Sequence, residues 1–157
     1  MQRYEKPVKE FEERTIQVNR ISKKTKGGNR IRFATLIAVG DKKGRVGIGL
    51  AKAADVASAI AKATRYAQNH MVTVVMKGST IPHEVRLKWG AARILIKPAP
   101  EGSGVIAGGP VRAIMEVAGI KDVVAKILGT NNKATNVYAT FEALKMSLWS
   151  NIFKKKG

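Results

Sequence analysis

Hydrophobic and polar positions alternate over much of the first half of the chain, with the two-residue period of a β-strand. This pattern predicts strands at 11–21, 31–39, 45–50 and 71–76. Between the last two, apolar residues recur at the spacing of one helical face, beginning at Val56. The first half therefore predicts the element order β-β-β-α-β.

The third predicted strand has an unusual composition on its two faces. Val46, Ile48 and Leu50 lie on one face, and Gly47 and Gly49 lie on the other. Because a glycine face leaves room for a close neighbour, we expect a helix or another backbone to approach it.

The second half begins after a break in the pattern at 77–82. A hairpin with the strands EVRL and RILIK precedes a long loop rich in proline and glycine. A helix then begins at Pro110 and ends at Gly119, and it is followed by a strand at 122–128 and a last helix with an apolar stripe from Val137. The order β-β-α-β-α predicts an α+β fold with helices layered on a sheet.

The sequence divides into four parts. We expect a flexible arm at 1–10, a first domain at 11–76, a second domain at 80–150 and a basic tail at 151–157.

The charge balance favours a polyanionic partner. Lys and Arg number 29 against 11 acidic residues, which gives a formal net charge of +18. No apolar run approaches the about 20 residues of a membrane span, and there is no signal for secretion, so we expect an intracellular protein. The absence of cysteine excludes disulfides and thiolate metal sites.

A basic segment from Arg20 to Arg32 carries six cations and no acid. Gly27 and Gly28 predict an exposed turn at its centre, where backbone amides can approach a phosphate. The alternative is a solvated loop that only aids solubility. No aromatic ladder for stacking bases is visible, because Phe33 and Tyr66 are interpreted as core residues, so structured RNA is favoured over single strands.

The predicted RNA-binding residues come from this segment and from a second basic cluster at the next hairpin. They are Arg20, Ser22, Lys23, Lys24, Thr25, Lys26, Gly27, Gly28, Asn29, Arg30, Arg32, Lys42, Lys43 and Arg45. A third cluster, Lys154 to Lys156, is weaker because it is terminal.

Catalysis and cofactors have little support in the sequence. The only histidines, His70 and His83, fall in different predicted domains, and no metal cluster or catalytic motif is present. The segment 102–107 matches the loose pattern GxGxxA of a dinucleotide site, with Asp122 about twenty residues further on. Because prolines precede the glycines and Asp122 precedes its strand, we do not expect nucleotide binding, but a small nucleotide-dependent enzyme remains the alternative.

Four segments carry a family resemblance. VNRISKKTKGGNRIRF, VGDKKGRVGIGLAKA, TIPHEV and KPAPEGSGVIAGGPVRAIMEVAGIKDVVAK resemble ribosomal protein five of the bacterial small subunit. The resemblance runs from about Phe11 to Leu148.

The resemblance implies an N-terminal domain like those that bind double-stranded RNA, and a C-terminal domain of a sheet and two helices with a left-handed crossover. It implies a non-enzymatic structural role in the small subunit, where the loop 22–30 reaches ribosomal RNA near the decoding region. A second set of residues would face ribosomal protein four and affect decoding accuracy, namely Glu101, Gly102, Gly104, Val105 and Arg112.

The resemblance also implies further partners. The second domain would lie near ribosomal protein eight, and the protein would lie beside the path by which messenger RNA enters. We expect a cytoplasmic ribosomal protein with no cofactor, no metal, no membrane span and no homo-oligomer. A free-standing RNA chaperone found off the ribosome is a further alternative.

Overall fold

The computed structural model describes the backbone of residues 10–154 and the side chains of residues 10–146. The predicted arm at 1–10 therefore lies outside the described residues except for Glu10, and the side chains of the predicted basic tail lie outside them as well.

A four-stranded antiparallel sheet with one helix forms the first unit. Its elements are β1 (Glu12–Thr25), β2 (Gly28–Gly40), β3 (Arg45–Ala53), α1 (Val56–Asn69) and β4 (Val72–Thr73). The strands lie in the order β1-β2-β3-β4. The predicted order of elements in this half is confirmed.

A second four-stranded sheet with two helices forms the second unit. Its elements are β5 (Val85–Trp89), β6 (Ala92–Pro98), β7 (Val105–Ile106), α2 (Gly109–Ala118), β8 (Val123–Leu128) and α3 (Lys133–Lys154). The strands lie in the order β5-β6-β8-β7, and α2 crosses between the parallel strands β7 and β8. The α+β fold with two sheets is confirmed, but β7 was missed within the predicted loop.

The glycine face of β3 packs against α1. A Cβ on Gly47 or Gly49 would overlap the backbone carbonyl of Ala67 or Ala63 respectively. The expected close approach to this face is confirmed, and of the two alternatives, a helix or another backbone, it is the helix α1. The predicted helical face was wrong at Val56, which is exposed, because only alanines fit against the glycines and the buried row is Ala59, Ala63 and Ala67.

The opposite face of the first sheet packs on the second unit. Leu36 and Ile48 belong to the same buried cluster as Ile114 and Met115 of α2. Each sheet thus contributes one face to a shared core, and burial of these side chains favours the docked arrangement by removing apolar surface from water.

Backbone hydrogen bonds fix the junction between the two units. The N–H of Lys42 donates to the carbonyl of Val117 at 3.0 Å, and the N–H of Gly44 donates to that of Ala118 at 2.9 Å. Gly119 ends α2 with a positive φ of 89°, and a Cβ there would overlap the carbonyl of Lys42. The turn between β2 and β3 therefore fits directly against the end of α2.

The strand predicted at 71–76 is only two residues long. After Thr73, the N–H of Val74 still donates to the carbonyl of Gly44. Since β3 begins at Arg45, no partner strand remains beyond that point.

Candidate RNA interface

The basic segment forms the end of a long hairpin. Pairing of β1 with β2 continues to Thr25 opposite Gly28, so Lys26 and Gly27 alone make the turn. The hydroxyl of Thr25 donates to the carbonyl of Gly28 at 2.8 Å, and the φ of Gly28 is 130°, which favours glycine. The turn predicted at 22–30 is therefore shorter than expected, and its flanks are strands.

Strand pairing places the cations of this segment on two different faces. Lys23 lies opposite Arg30, and Arg32 lies opposite Ile21, on the face away from α1. On β3, Lys52 shares that face because it pairs with Ala34, two residues beyond Arg32. These residues line one cavity of about 270 Å³, which we call the basic groove, formed by Ile21, Lys23, Arg30, Arg32 and Lys52.

The remaining cations of the segment lie elsewhere. Arg20 and Lys24 project from the opposite face, where Lys24 lies beside its partner Asn29, and Ser22 shares that face. Lys26 lies in the turn itself. The sequence grouped all of them in one loop, whereas the structure separates them.

The groove is electrostatically uncompensated within the described residues. Lys23, Arg30, Arg32 and Lys52 are exposed, and none of them forms an ion pair with a carboxylate in residues 10–146. Cations that are not neutralised internally attract an anion to the space between them. This arrangement can hold phosphate groups, with guanidinium groups offering two parallel hydrogen bonds.

The second predicted cluster does not join the groove. Lys42, Lys43 and Arg45 lie at the other end of β2, which is 13 residues long, so roughly 40 Å separates the two ends at about 3.3 Å per residue. Nζ of Lys42 forms an ion pair with Oε2 of Glu12 at 2.6 Å, and the hydrogen bond from Lys42 is the main cause of a lowered pKa for Glu12. Lys42 is thus partly neutralised, while Lys43 and Arg45 form no ion pair among the described side chains.

The glycine-rich loop of the second unit is held by Asp122. Its Oδ1 accepts the N–H of Gly102 at 3.1 Å and of Gly104 at 3.0 Å, and its Oδ2 accepts the hydroxyl of Ser79 at 2.5 Å. These hydrogen bonds, that from Ser79 first, lower the pKa of Asp122. Sequence reasoning considered Asp122 only as a ribose ligand and missed this role, although its polar position just before a strand was the available signal.

The loop geometry argues against nucleotide binding. The amides of Gly102 and Gly104 are already bound to Asp122, whereas a dinucleotide loop keeps its amides free for pyrophosphate. In addition, α2 begins only at Gly109, so its N-terminus is not adjacent to the first glycines.

The predicted protein-contact residues come from the glycine-rich loop, from β7 and from α2, and β7 contacts α2. Glu101 is exposed, and Val105 in β7 is half-buried against the core. Arg112 is exposed on α2, and its Nε donates to Glu116 at 3.0 Å. Glu116 also accepts Nη2 of Arg14 at 3.1 Å, which ties β1 to α2.

Two stacked rings, those of Tyr66 and His70, lie at the end of α1. Tyr66 is 52% exposed, so its interpretation as a core residue was wrong. Its ring stacks on His70 with centroids 4.1 Å apart, and Nδ1 of His70 lies 2.9 Å from the Tyr66 carbonyl. His70 therefore caps the end of α1 and has a structural role there.

The described part of the chain also bears on metal sites and membrane spans. It contains no group of three or more residues that could hold a metal ion. None of its helices is long and apolar enough to cross a membrane.

Comparison with known families decides the assignment. Residues 11–75 match the family described as ribosomal protein S5, N-terminal domain, and residues 87–148 match ribosomal protein S5, C-terminal domain. The chain belongs to the ribosomal protein S5 family. Ribosomal protein S5 is a structural, non-enzymatic constituent of the small ribosomal subunit and binds ribosomal RNA. The family resemblance is confirmed, and the alternative of a nucleotide-dependent enzyme was wrong.

Proposed function

We propose that this chain holds folded ribosomal RNA mainly through the basic groove, and that its second unit supports translational accuracy by contacting ribosomal protein four. In this proposal the two units act as domains at 11–76 and 80–150. The observation that carries it is the cluster of four exposed, unpaired cations around one cavity at the hairpin end.

The groove suits the backbone of structured RNA rather than an unstacked base. Its polar groups are all cationic, and its one apolar member, Ile21, is half-buried. Phosphate contacts position a protein on RNA, and double-stranded RNA is recognised mostly through phosphates and 2′-hydroxyl groups. The turn at Lys26 and Gly27 extends beyond the groove and can enter a narrow space between RNA segments.

Lys43 and Arg45 provide a second anchor at the far end of β2. Both are exposed; Lys43 lies in the turn that packs against α2, and Arg45 directly follows that turn as the first residue of β3. Because that turn is fixed by backbone hydrogen bonds, the basic groove and the second anchor are held at a set distance from each other. The chain can therefore bind two RNA segments and hold them at that distance.

The proposed contact with ribosomal protein four involves the loop 101–109 and Arg112. Asp122 fixes the backbone of the loop, so it presents one shape to a partner. A preformed loop loses less conformational entropy on binding. Arg112 lies on α2, which follows this loop, and its exposed guanidinium group can reach a partner carboxylate.

Further aspects rest on the family resemblance. They are proximity of the second unit to ribosomal protein eight, a position beside incoming messenger RNA, a cytoplasmic location and the absence of a homo-oligomer.

Matched double variants test the groove. We expect Lys23→Gln/Arg30→Gln to weaken binding of the full chain to small-subunit ribosomal RNA by at least about tenfold at moderate salt. Arg20→Gln/Lys24→Gln removes the same charge from the opposite face and should weaken RNA binding clearly less. Equal losses would show that charge alone matters, and no loss from the first variant would overturn the proposal.

A further inference from the structure

The second sheet has one face that neither α2 nor α3 covers. Buried residues such as Ile94, Ile96 and Ala125 alternate along β6 and β8 on the helix side. The residues between them point the other way. We call this uncovered side the open face.

Strand register gathers cations on the open face. Leu95 of β6 pairs with Arg86 of β5 on one side and with Lys126 of β8 on the other. Lys88 of β5 pairs with Arg93 of β6. Because paired residues project to the same side of a sheet, all of these side chains share a face. Lys97 lies two residues beyond Leu95 on the same side. Five cations from three strands, Arg86, Lys88, Arg93, Lys97 and Lys126, thus stand on one surface.

Little internal negative charge opposes them. Nε of Arg86 donates to Oε1 of Glu84 at 2.8 Å, and this bond lowers the pKa of Glu84, which keeps it ionised. Within residues 10–146, none of Lys88, Arg93 and Lys126 forms an ion pair. Folding alone does not account for this charge, since repulsion among neighbouring cations opposes the folded state.

The open face also carries apolar side chains between its cations. Leu95 is half-buried, while Leu128 is 46% exposed and Val124 is 38% exposed. A shallow cavity of about 340 Å³ lies among Arg86, Arg93 and Leu95. Aliphatic side chains flanked by cations can contact ribose while the cations reach phosphates on either side.

We propose that the open face is a further RNA-binding surface, distinct from the basic groove and from the anchor at Lys43 and Arg45, and that it takes the sugar–phosphate backbone of a different RNA segment. The inference rests on the proposed function in that the chain binds ribosomal RNA. RNA is the occupant because the charged side chains named on this face are all cationic and polyanionic phosphate complements them. This surface could not be recognised from the order of residues, because its cations are scattered singly over 86–126.

A matched pair of variants tests the open face in the full chain. Arg93→Gln/Lys126→Gln removes two of its unpaired cations, and Lys62→Gln/Arg65→Gln removes an equivalent pair from the exposed side of α1. We expect the first variant to bind small-subunit ribosomal RNA about tenfold more weakly and to flatten the slope of log K against log salt by about 2. The control should leave the slope unchanged. An unchanged slope in the first variant, or an equal change in both, overturns the inference.

The groove variant Lys23→Gln/Arg30→Gln, measured in parallel, separates this inference from the proposed function. A loss in the groove variant alone leaves the proposed function standing and overturns the open face as an RNA site. A loss in the open-face variant alone supports the open face and overturns the groove. If binding of ribosomal protein eight is lost instead of RNA binding, the open face is a protein contact and the inference is overturned.

Lysine acylation provides a second readout that requires no substitution. Bound RNA should protect Lys88, Lys97 and Lys126 from an amine-reactive reagent in the full chain, as measured by mass spectrometry. Lys62 serves as the internal control and should react equally with and without RNA. If RNA left the reactivity of Lys88, Lys97 and Lys126 as unchanged as that of Lys62, the inference would be overturned.

Discussion

Oδ1 of Asp122 accepts the backbone N–H of Gly104 at 3.0 Å. Together with the bond from Gly102 to the same oxygen, this hydrogen bond joins the residue before β8 to the glycine-rich loop before β7, so the two ends of the crossover through α2 are held together. The acid that the sequence pattern suggested for a ribose instead holds the loop in one conformation. The proposed contact surface for ribosomal protein four is therefore preorganised by a buried carboxylate.

The first prediction concerns the pH dependence of this carboxylate. Its folded-state pKa lies below the ordinary value of 3.8, so its contribution to stability is present above that pH and is lost as pH falls through the folded-state pKa. We expect Asp122→Asn to lower the midpoint of thermal unfolding at about pH 6, and the difference from the parent chain to shrink at about pH 3.

Glu101→Gln is the control for this experiment. Glu101 is exposed in the same loop and forms no hydrogen bond or ion pair among the described residues, so its substitution should change the unfolding midpoint little at either pH. A difference between Asp122→Asn and the parent that stays constant from neutral to acidic pH would contradict the role assigned to the carboxylate.

The second prediction concerns the junction between the units. Gly119 and Gly102 have nearly the same φ, 89° and 88°, but only Gly119 has a backbone neighbour, Lys42, where a Cβ would be. Both Gly→Ala variants incur the cost of a positive φ, about 1 kcal/mol, and Gly119→Ala adds overpacking of about 1–3 kcal/mol.

Chemical denaturation of the two variants measures this difference directly. Gly119→Ala should reduce the free energy of unfolding clearly more than Gly102→Ala does. Equal losses would mean that the turn of β2 and β3 does not fit against α2 as tightly as the structure shows.

Sequence reasoning was most successful where a pattern had one structural solution. The alternation of Gly47 and Gly49 with apolar residues predicted that a helix or another backbone lies close to one face, and α1 lies there. The same reasoning misjudged the helix itself, because amphipathic spacing favoured Val56, whereas the glycine face accepts only the alanines of α1.

The candidate site was predictable in position but not in geometry. Charge marked the segment 20–32, but strand pairing decides which cations meet, and pairing could not be read from residues as polar as Lys23 and Arg30. The exposed end of a hairpin does not pack on a core, so its residues need not alternate between apolar and polar. The alternation that predicts a strand is therefore missing there. Lys52 was missed because it joins the groove from a different strand.

The third prediction tests the protein contact. Arg112→Glu should weaken binding of the full chain to ribosomal protein four by at least about tenfold. The substitution replaces a cation that attracts a carboxylate of the partner with an anion that repels it. The control is Arg65→Glu on the exposed side of α1, which makes the same change in net charge and should weaken binding to ribosomal protein four clearly less. Equal affinity of the Arg112 variant and the parent would remove Arg112 from the contact.

The central claim, that phosphate neutralisation holds this chain on ribosomal RNA, is tested most directly by the salt dependence of its affinity. If about six phosphates are neutralised, log K against log salt should fall with a slope of about −4 to −6. We also expect Lys23→Gln/Arg30→Gln to make that slope shallower by about 2. A parent chain whose affinity is independent of salt would contradict the account.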